Sequence, residues 1–144
     1  MKRQAFSLVS LLSLLLVAGS AIAQTVHVRA DIPFSFAVGS TAFPAGTYDV
    51  RTIDYQNGRT LLLQAQDGKE GMIVVSNAAV NRDPADKTKL IFNRYGDRYF
   101  LSQIWVAGET SGHQLLKTSR EKELARELAR GVTNGQVEIR ASLQ

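Results

Sequence analysis

The sequence predicts a mainly β domain: a small antiparallel barrel or sandwich of about seven to nine strands, with one C-terminal helix (about residues 118–130) and a last strand. Three observations predict this class. Short runs alternate apolar and polar residues at the period of a half-buried strand. Turn-forming residues separate these runs at regular intervals. The capping-box pattern Thr118-x-x-Glu121 precedes a stretch of good helix formers. Because closure removes exposed sheet edges, a barrel-like arrangement is favoured.

The first half of the domain is predicted to contain five strands. They cover residues 25–30, 32–38, 47–53, 60–66 and 72–75. The turn signals between them are Pro44-Ala45-Gly46, Asn57-Gly58 and Asp67-Gly68, and residues 39–46 are predicted to be a loop. Residues 72–75 (MIVV) are apolar on both faces, which predicts a position in the centre of the sheet or between layers.

The best-defined hairpin is predicted for residues 89–95 and 98–106, after a polar loop at 81–88. Gly96-Asp97 fits a two-residue turn with glycine first. This turn fixes a register that pairs Tyr95 with Arg98, Arg94 with Tyr99, and Phe92 with Leu101. Regular alternation from there puts Trp105 on the face of Phe92 and Leu101, and Ile104 on the opposite face.

The predicted helix is followed by a short final strand. Leu124 and Leu128 lie one helical turn apart and form a narrow apolar stripe for docking. Gly131 is a natural helix stop, and residues 136–142 alternate again. Basic residues also follow the helix at one-turn spacing, which predicts a solvated face or, alternatively, a ridge that contacts anionic glycans or lipid headgroups. They are Lys122, Arg126 and Arg130, with Arg120 nearby.

The N-terminus has the order of segments of a cleavable secretory signal peptide. Lys2 and Arg3 are followed by 14 uncharged residues from Ala5 to Ala18. Ala21 and Ala23 form a small-x-small cleavage site, so residues 1–23 are predicted to be removed and Gln24 to begin a single β-rich domain, 24–144. The apolar run is shorter than the roughly 20 residues that span a bilayer. The mature chain is therefore expected to be periplasmic or extracellular, without a transmembrane segment.

Charge and cysteine content limit the possible partners and chemistry. Lys2 and Arg3 belong to the predicted signal, so the rest of the chain has 15 basic and 13 acidic residues, a net charge of +2. That balance, without a long basic run, predicts no nucleic-acid partner. The chain has no cysteine, which excludes disulfides, thiolate metal sites and a cysteine nucleophile.

Two segments carry a resemblance to known proteins. Residues 32–39 (IPFSFAVG) precede 43–50 (FPAGTYDV), and residues 94–101 (RYGDRYFL) precede Ile104-Trp105 and the charged helix. They resemble a group of small exported proteins common in soil-dwelling acidobacteria. The resemblance covers most of the predicted mature chain and implies export and a β-rich domain. It implies no particular activity.

The motifs of common catalytic and metal sites are missing. His27 and His113 are 86 residues apart, and neither belongs to a ligand-spaced pair. Ser111-Gly112-His113 places a hydroxyl near an imidazole, but without a nucleophile-elbow motif. Four aspartates could act as acid–base carboxylates, but only their residue type suggests it and no motif supports it: Asp31, Asp49, Asp54 and Asp97. The sequence therefore predicts no catalytic residue, metal or cofactor.

Aromatic residues of the predicted hairpin are the candidate ligand-binding set. Tyr95, Tyr99 and Trp105 would form a platform for a sugar or small ligand if their rings were exposed, and would belong to the core if buried. The primary expectation is a non-enzymatic binding or structural module of the cell envelope. A glycan or small-ligand binder that uses these aromatic residues is the alternative, and a hydrolase centred on His113 or the carboxylates is the third hypothesis. The expected partner is an envelope component or a glycan.

Overall fold

Ten strands and one helix are formed by residues 25–130 and 134–144, the part of the chain that a computed structural model describes. The strands are β1 (His27–Ile32), β2 (Phe36–Val38), β3 (Thr41–Phe43), β4 (Gly46–Thr52), β5 (Thr60–Ala65), β6 (Gly71–Val80), β7 (Lys89–Tyr95), β8 (Arg98–Trp105), β9 (Ser111–Leu115) and β10 (Asn134–Leu143), and the helix is α1 (Ser119–Leu128). The predicted signal peptide, its cleavage site at Ala21, Ala23 and Gln24, and the helix stop at Gly131 lie outside the described residues.

Eight of these strands close an antiparallel barrel, which confirms the predicted fold class. Around the ring the order is β8-β7-β10-β1-β4-β5-β6-β9, and β9 pairs back with β8. The helix precedes the final strand, as predicted. Closure leaves the barrel wall without the long open edge that an unclosed sheet would have.

Two ten-residue strands turn the corners of the barrel. The first half of β6 pairs with β5 and its second half with β9. Similarly, β10 pairs with β7 through residues 134–140 and with β1 through residues 141–143. A strand that changes partner along its length joins two crossed sheets into one closed wall.

The barrel interior is filled by aliphatic and aromatic side chains. Alternate residues of each strand point inward, as the two-residue period of a strand requires. The inward-facing residues that are at most 1% exposed include Val28, Val38, Val50, Leu61, Leu63, Leu90, Phe92 and Ile104. Phe36 contacts Phe92 and Tyr48 edge-on, with ring centroids 5.5 and 5.0 Å apart. The barrel is therefore held together by packing in its centre.

Strands β2 and β3 extend the wall outside the closed ring. β2 pairs antiparallel with β3 and parallel with β8, at Ala37 and Phe100. Part of the predicted loop at residues 39–46 is thus strand β3, because Gly39-Ser40 turns the chain tightly enough for Thr41–Phe43 to pair with β2. Phe36 and Phe43 stack with centroids 5.6 Å apart and fix this hairpin on the core.

The β7–β8 hairpin has the predicted register near its turn and a different one beyond it. Gly96 has a φ of 64°, which suits the two-residue turn, and Tyr95–Arg98, Arg94–Tyr99 and Phe92–Leu101 all pair. A β-bulge then shifts the register, so that Leu90 pairs with Ile104 and Lys89 with Trp105. Regular alternation therefore gives the wrong faces for Ile104 and Trp105: Ile104 lies inside the barrel and Trp105 outside.

Candidate functional site

The three candidate aromatic residues do not form a common exposed platform. Trp105 is 3% and Tyr95 6% exposed, so both rings are buried. The Trp105 ring lies against Gly112 of β9, and its indole nitrogen donates to Gln103 Oε1 at 2.8 Å. Tyr99 is half-buried and stacks on Phe34 with centroids 3.9 Å apart. Of the three, Tyr99 alone contributes to one of the surface cavities described below.

A buried carboxylate anchors α1 to the outer face of β7. Thr118 caps the helix, and its hydroxyl accepts from the Glu121 backbone nitrogen at 3.2 Å. The Glu121 carboxylate does not complete the capping box. Instead, its Oε1 accepts from Asn93 Nδ2 at 3.0 Å and from the Tyr95 hydroxyl at 3.1 Å. Burial and the Glu121 charge raise the pKa of Tyr95. Glu121 is the buried residue of α1, whereas Leu124 and Leu128 are half-buried, so the predicted apolar stripe is the lesser anchor.

Beside α1, the outer faces of β3, β2 and β8 form the floor of a groove. Ala42 pairs with Ala37, and Ala37 pairs with Phe100, so three apolar side chains form a row across these strands. Phe100 in turn pairs with Asn93 of β7, and the Asn93 side chain donates to Glu121 of α1. The groove encloses about 480 Å³. Because two of the three floor residues are alanines, a narrow ligand can lie close to the sheet at Ala37 and Ala42.

Two arginines line this groove from different elements. Arg98 lies on β8 two residues before Phe100, on the same face, and Arg120 lies in the first turn of α1. Neither forms an ion pair with a carboxylate within the described residues, whereas Arg29, Lys87 and Lys89 all do. Asp97, in the β7–β8 turn, also lines the groove without pairing with either arginine. The groove thus combines an apolar floor with two guanidinium groups available to a ligand.

Sequence reasoning singled out Tyr99 and noted Arg120, and it missed Arg98 and the alanine floor. A signal for the floor was present. Ala37 stands between Phe36 and Val38, and Ala42 precedes Phe43. Small residues thus occupy outward positions of two adjacent strands, next to large inward ones.

A second polar cluster joins Ser76 and His113 on the opposite seam of the barrel. Ser76 Oγ lies 2.9 Å from His113 Nδ1 and 3.0 Å from the Arg59 carbonyl oxygen. The carbonyl oxygen of Arg59 and the Nδ1 atom of His113 are alternative acceptors for the single hydroxyl hydrogen of Ser76, and the tautomer of His113 sets which of them receives it. Burial lowers the pKa of His113. The sequence placed Ser111 near His113 along the chain; the structure adds Ser76, from β6, as a hydroxyl within hydrogen-bond distance of the imidazole.

This cluster lacks the arrangement of a nucleophilic site. Ser76 is 1% exposed, and none of the residues that line the adjoining cleft of about 280 Å³ is a carboxylate. The Ser76–His113 contact is accounted for as a structural link between β6 and β9.

The remaining candidate residues are dispersed or paired. Asp49 receives two hydrogen bonds from Arg29, at 2.8 and 3.0 Å, and Asp31 accepts from Thr47. Residues 25–130 and 134–144 contain no group of three or more histidine, aspartate or glutamate side chains placed to hold a metal ion. In the same residues, no helix has the length and apolar character needed to cross a bilayer.

No protein-family model, curated protein or solved structure matches this chain.

Proposed function

We propose that the protein is an exported, non-enzymatic binding module of the cell envelope that holds an anionic ligand in the groove beside α1. Export and the envelope location are supported by the order of charged, apolar and small residues in positions 1–23. The observation that carries the binding proposal is the pair Arg98 and Arg120, free of carboxylate partners among the described residues, beside an apolar floor.

The chemistry of the groove selects the class of ligand. Guanidinium groups bind carboxylates and phosphates through paired, charge-assisted hydrogen bonds. The Ala42–Ala37–Phe100 floor favours a narrow apolar portion next to the charge. A carboxylate- or phosphate-bearing glycan or acyl chain meets both conditions. Stacking of a sugar on Tyr95 or Trp105, by contrast, would need rings that are buried here.

A titration followed residue by residue tests this proposal. Octyl phosphate and an oligogalacturonate serve as anionic probes, and octyl glucoside as the neutral one, each added to the full-length ¹⁵N-labelled chain. We expect an anionic probe to shift the backbone amide signals of Ala37, Ala42, Arg98 and Phe100, with the neutral probe leaving them in place. Larger amide shifts with octyl phosphate would indicate an acyl ligand, and larger shifts with oligogalacturonate would indicate a glycan.

Matched arginine variants identify the source of the affinity. The double variant Arg98→Ala/Arg120→Ala should bind at least tenfold more weakly, since a hydrogen bond to a charged group contributes about 1.5–3 kcal/mol. Arg126→Ala removes an exposed arginine from the same helix outside the groove and should change nothing. Equal affinity in the double variant, or no response to either anion, would refute the binding proposal and leave a structural role.

A further inference from the structure

The floor of the groove beside α1 offers no hydrogen-bonding side chain. Ala42, Ala37 and Phe100 form one row across β3, β2 and β8. Methyl groups and a phenyl ring cannot replace the water that a sugar hydroxyl loses on burial, and an unpaired hydroxyl costs free energy. Methylene groups gain free energy on the same surface because they leave water. The row therefore favours an alkyl chain over a sugar ring.

The aromatic rings at the groove are already in contact with other side chains. Phe34 stacks on one face of Tyr99, with ring centroids 3.9 Å apart. The Arg94 guanidinium carbon lies 5.7 Å from the centroid of the Tyr99 ring, and since Phe34 occupies the first face, Arg94 lies over the second. Phe100 is 5% exposed and meets the Tyr95 ring edge-on. A sugar would thus find neither Tyr99 nor Phe100 open for stacking.

The two groove arginines approach the same end of the row from opposite sides. Because β2 runs parallel to β8, Gly39 lies on the side of the later β8 residues and Arg98 on the side of the earlier ones. A side-chain carbon at Gly39 would lie 3.9 Å from the Thr118 methyl group, which places the start of α1, and with it Arg120, on the Gly39 side. Both arginines belong to elements at the β8 end of the row. An anionic headgroup between them would lie at that end.

The other end of the row is open. Ala42 is exposed and lies on β3, the outermost strand of the sheet. Neighbouring strands are about 4.8 Å apart, so the row is about 10 Å across, which is close to the length of an extended octyl chain. Ser35 and Ser40 line the groove on either side of the row, so its apolar part is wide enough for one chain.

We propose that the anionic ligand of this groove is a single-chain amphiphile, with its carboxylate or phosphate between Arg98 and Arg120 and its acyl chain over Ala37 and Ala42. This inference rests on the function proposed above for the same groove, and it selects the acyl ligand over the glycan. Fatty acids and monoacyl phospholipids share this chemistry. Because the row ends at β3, the length of chain that the groove can cover has an upper limit.

A chain-length series tests the proposal by calorimetric titration of the full-length protein. The probes are alkyl phosphates from butyl to dodecyl, each kept below the concentration at which it forms micelles. Up to octyl phosphate, affinity should rise about two- to fourfold per methylene group, since full burial of a methylene group corresponds to about fourfold. From octyl to dodecyl phosphate it should stay level. Octanoate beside octyl phosphate identifies the source: tighter octanoate binding indicates a fatty acid, and tighter octyl phosphate binding a monoacyl phospholipid.

Ala42→Gln provides the second arm, because it places a larger polar side chain at the open end of the row. Affinity for octyl phosphate should fall about fivefold, since the methylene groups over β3 lose their apolar contact. Affinity for butyl phosphate should be unchanged, because its chain is too short to reach β3. Ala78→Gln, at an exposed position of β6 outside the groove, is the matched control.

The outcomes separate this inference from the function on which it rests. Affinity that does not depend on chain length, or equal octyl phosphate affinity in Ala42→Gln and the wild type, would overturn the acyl ligand. Binding of oligogalacturonate alone would also overturn it, and the proposed anionic binding module would stand. No response to any of the anions would refute both.

Discussion

At the scale of single residues, two neighbouring positions of β9 make different kinds of contact: His113 forms a hydrogen bond and Gly112 packs against a ring. His113 is linked to Ser76, which is 37 positions away in the sequence. Gly112 is the point where the Trp105 ring meets the backbone of β9. Neither contact could be predicted from local patterns, because each depends on which strands become neighbours when the barrel closes. Sequence adjacency shows only that Ser111 is near His113 along the chain.

His113 makes the stability of the barrel depend on pH. The pKa of a histidine in the unfolded chain is about 6.5, and burial lowers the pKa of His113 in the folded state. As the pH falls below about 6.5, the unfolded state therefore takes up a proton before the folded state does, and the free energy of unfolding decreases. Above that pH the contribution is constant.

The measurement is urea unfolding at pH 7.5 and pH 5.5. His113→Gln should lose less stability between these two pH values than the wild-type chain does. His27→Gln, which alters the exposed histidine of β1, should behave like the wild type. An unchanged pH dependence in His113→Gln would contradict the assignment.

Gly112→Ala should destabilise the barrel by about 1–3 kcal/mol, as overpacking does. A methyl group there would lie 2.7 Å from the Ile104 carbonyl oxygen and 2.8 Å from the Trp105 ring. Gly135→Ala is the control, since nothing lies within 4 Å of the added carbon. Thermal unfolding of both variants checks this, and equal midpoints would mean that β9 tolerates a side chain beneath Trp105.

At the scale of elements, the turns could be predicted better than the irregularities between them. The dipeptide Gly96-Asp97 predicted the pairing of Tyr95 with Arg98 correctly, because a two-residue turn allows only one register for the strands that it joins. The bulge beyond Phe92 reverses the faces of Ile104 and Trp105, and no residue type in that stretch marks it. The helix was placed correctly by Thr118, yet the role of Glu121 depends on Asn93 and Tyr95 of β7.

The attachment of α1 should depend on the acceptor atom of Glu121 more than on its charge. Glu121→Ala leaves the buried donors of Asn93 and Tyr95 without a partner, which costs about 1–3 kcal/mol. Glu121→Gln keeps an oxygen that can accept both hydrogen bonds and should cost less. Amide hydrogen exchange within residues 119–128 should be fastest in Glu121→Ala. Glu123→Ala, at an exposed position of the same helix, is the control.

The same substitution should weaken ligand binding in the groove. Arg120 precedes Glu121, so a released helix no longer holds its guanidinium group over the floor. Anionic-probe affinity should therefore fall in Glu121→Ala and be largely kept in Glu121→Gln. Full affinity in both variants would show that Arg98 alone provides the binding.

At the scale of the whole molecule, the barrel depends on its last strand. β10 lies between β7 and β1, and Leu143 pairs with Val28 near the other end of the described chain. The alternation in residues 136–142 predicted a strand that could close or extend the sheet. Its position between β1 and β7 could not be predicted, because periodicity specifies a strand and not its neighbours.

Deleting residues 134–144 should abolish cooperative unfolding. The deletion leaves β1 and β7 without a common partner and uncovers core residues such as Val28 and Phe92. Replacing residues 119–128 with a flexible Gly-Ser segment of equal length should keep a cooperative transition at reduced stability. Urea titration followed by Trp105 fluorescence distinguishes the two. A sharp transition after the first deletion would show that nine strands suffice.

The place of β10 in the ring also has a kinetic consequence. Ribosomes make the chain from its first residue to its last, so the strand that joins β7 to β1 is the final one to emerge. Until then the wall stays open, and pairing between residues as distant as 28 and 143 is slow to form. A chain with this order of strands cannot close its barrel until synthesis has reached β10, which is compatible with the export proposed above.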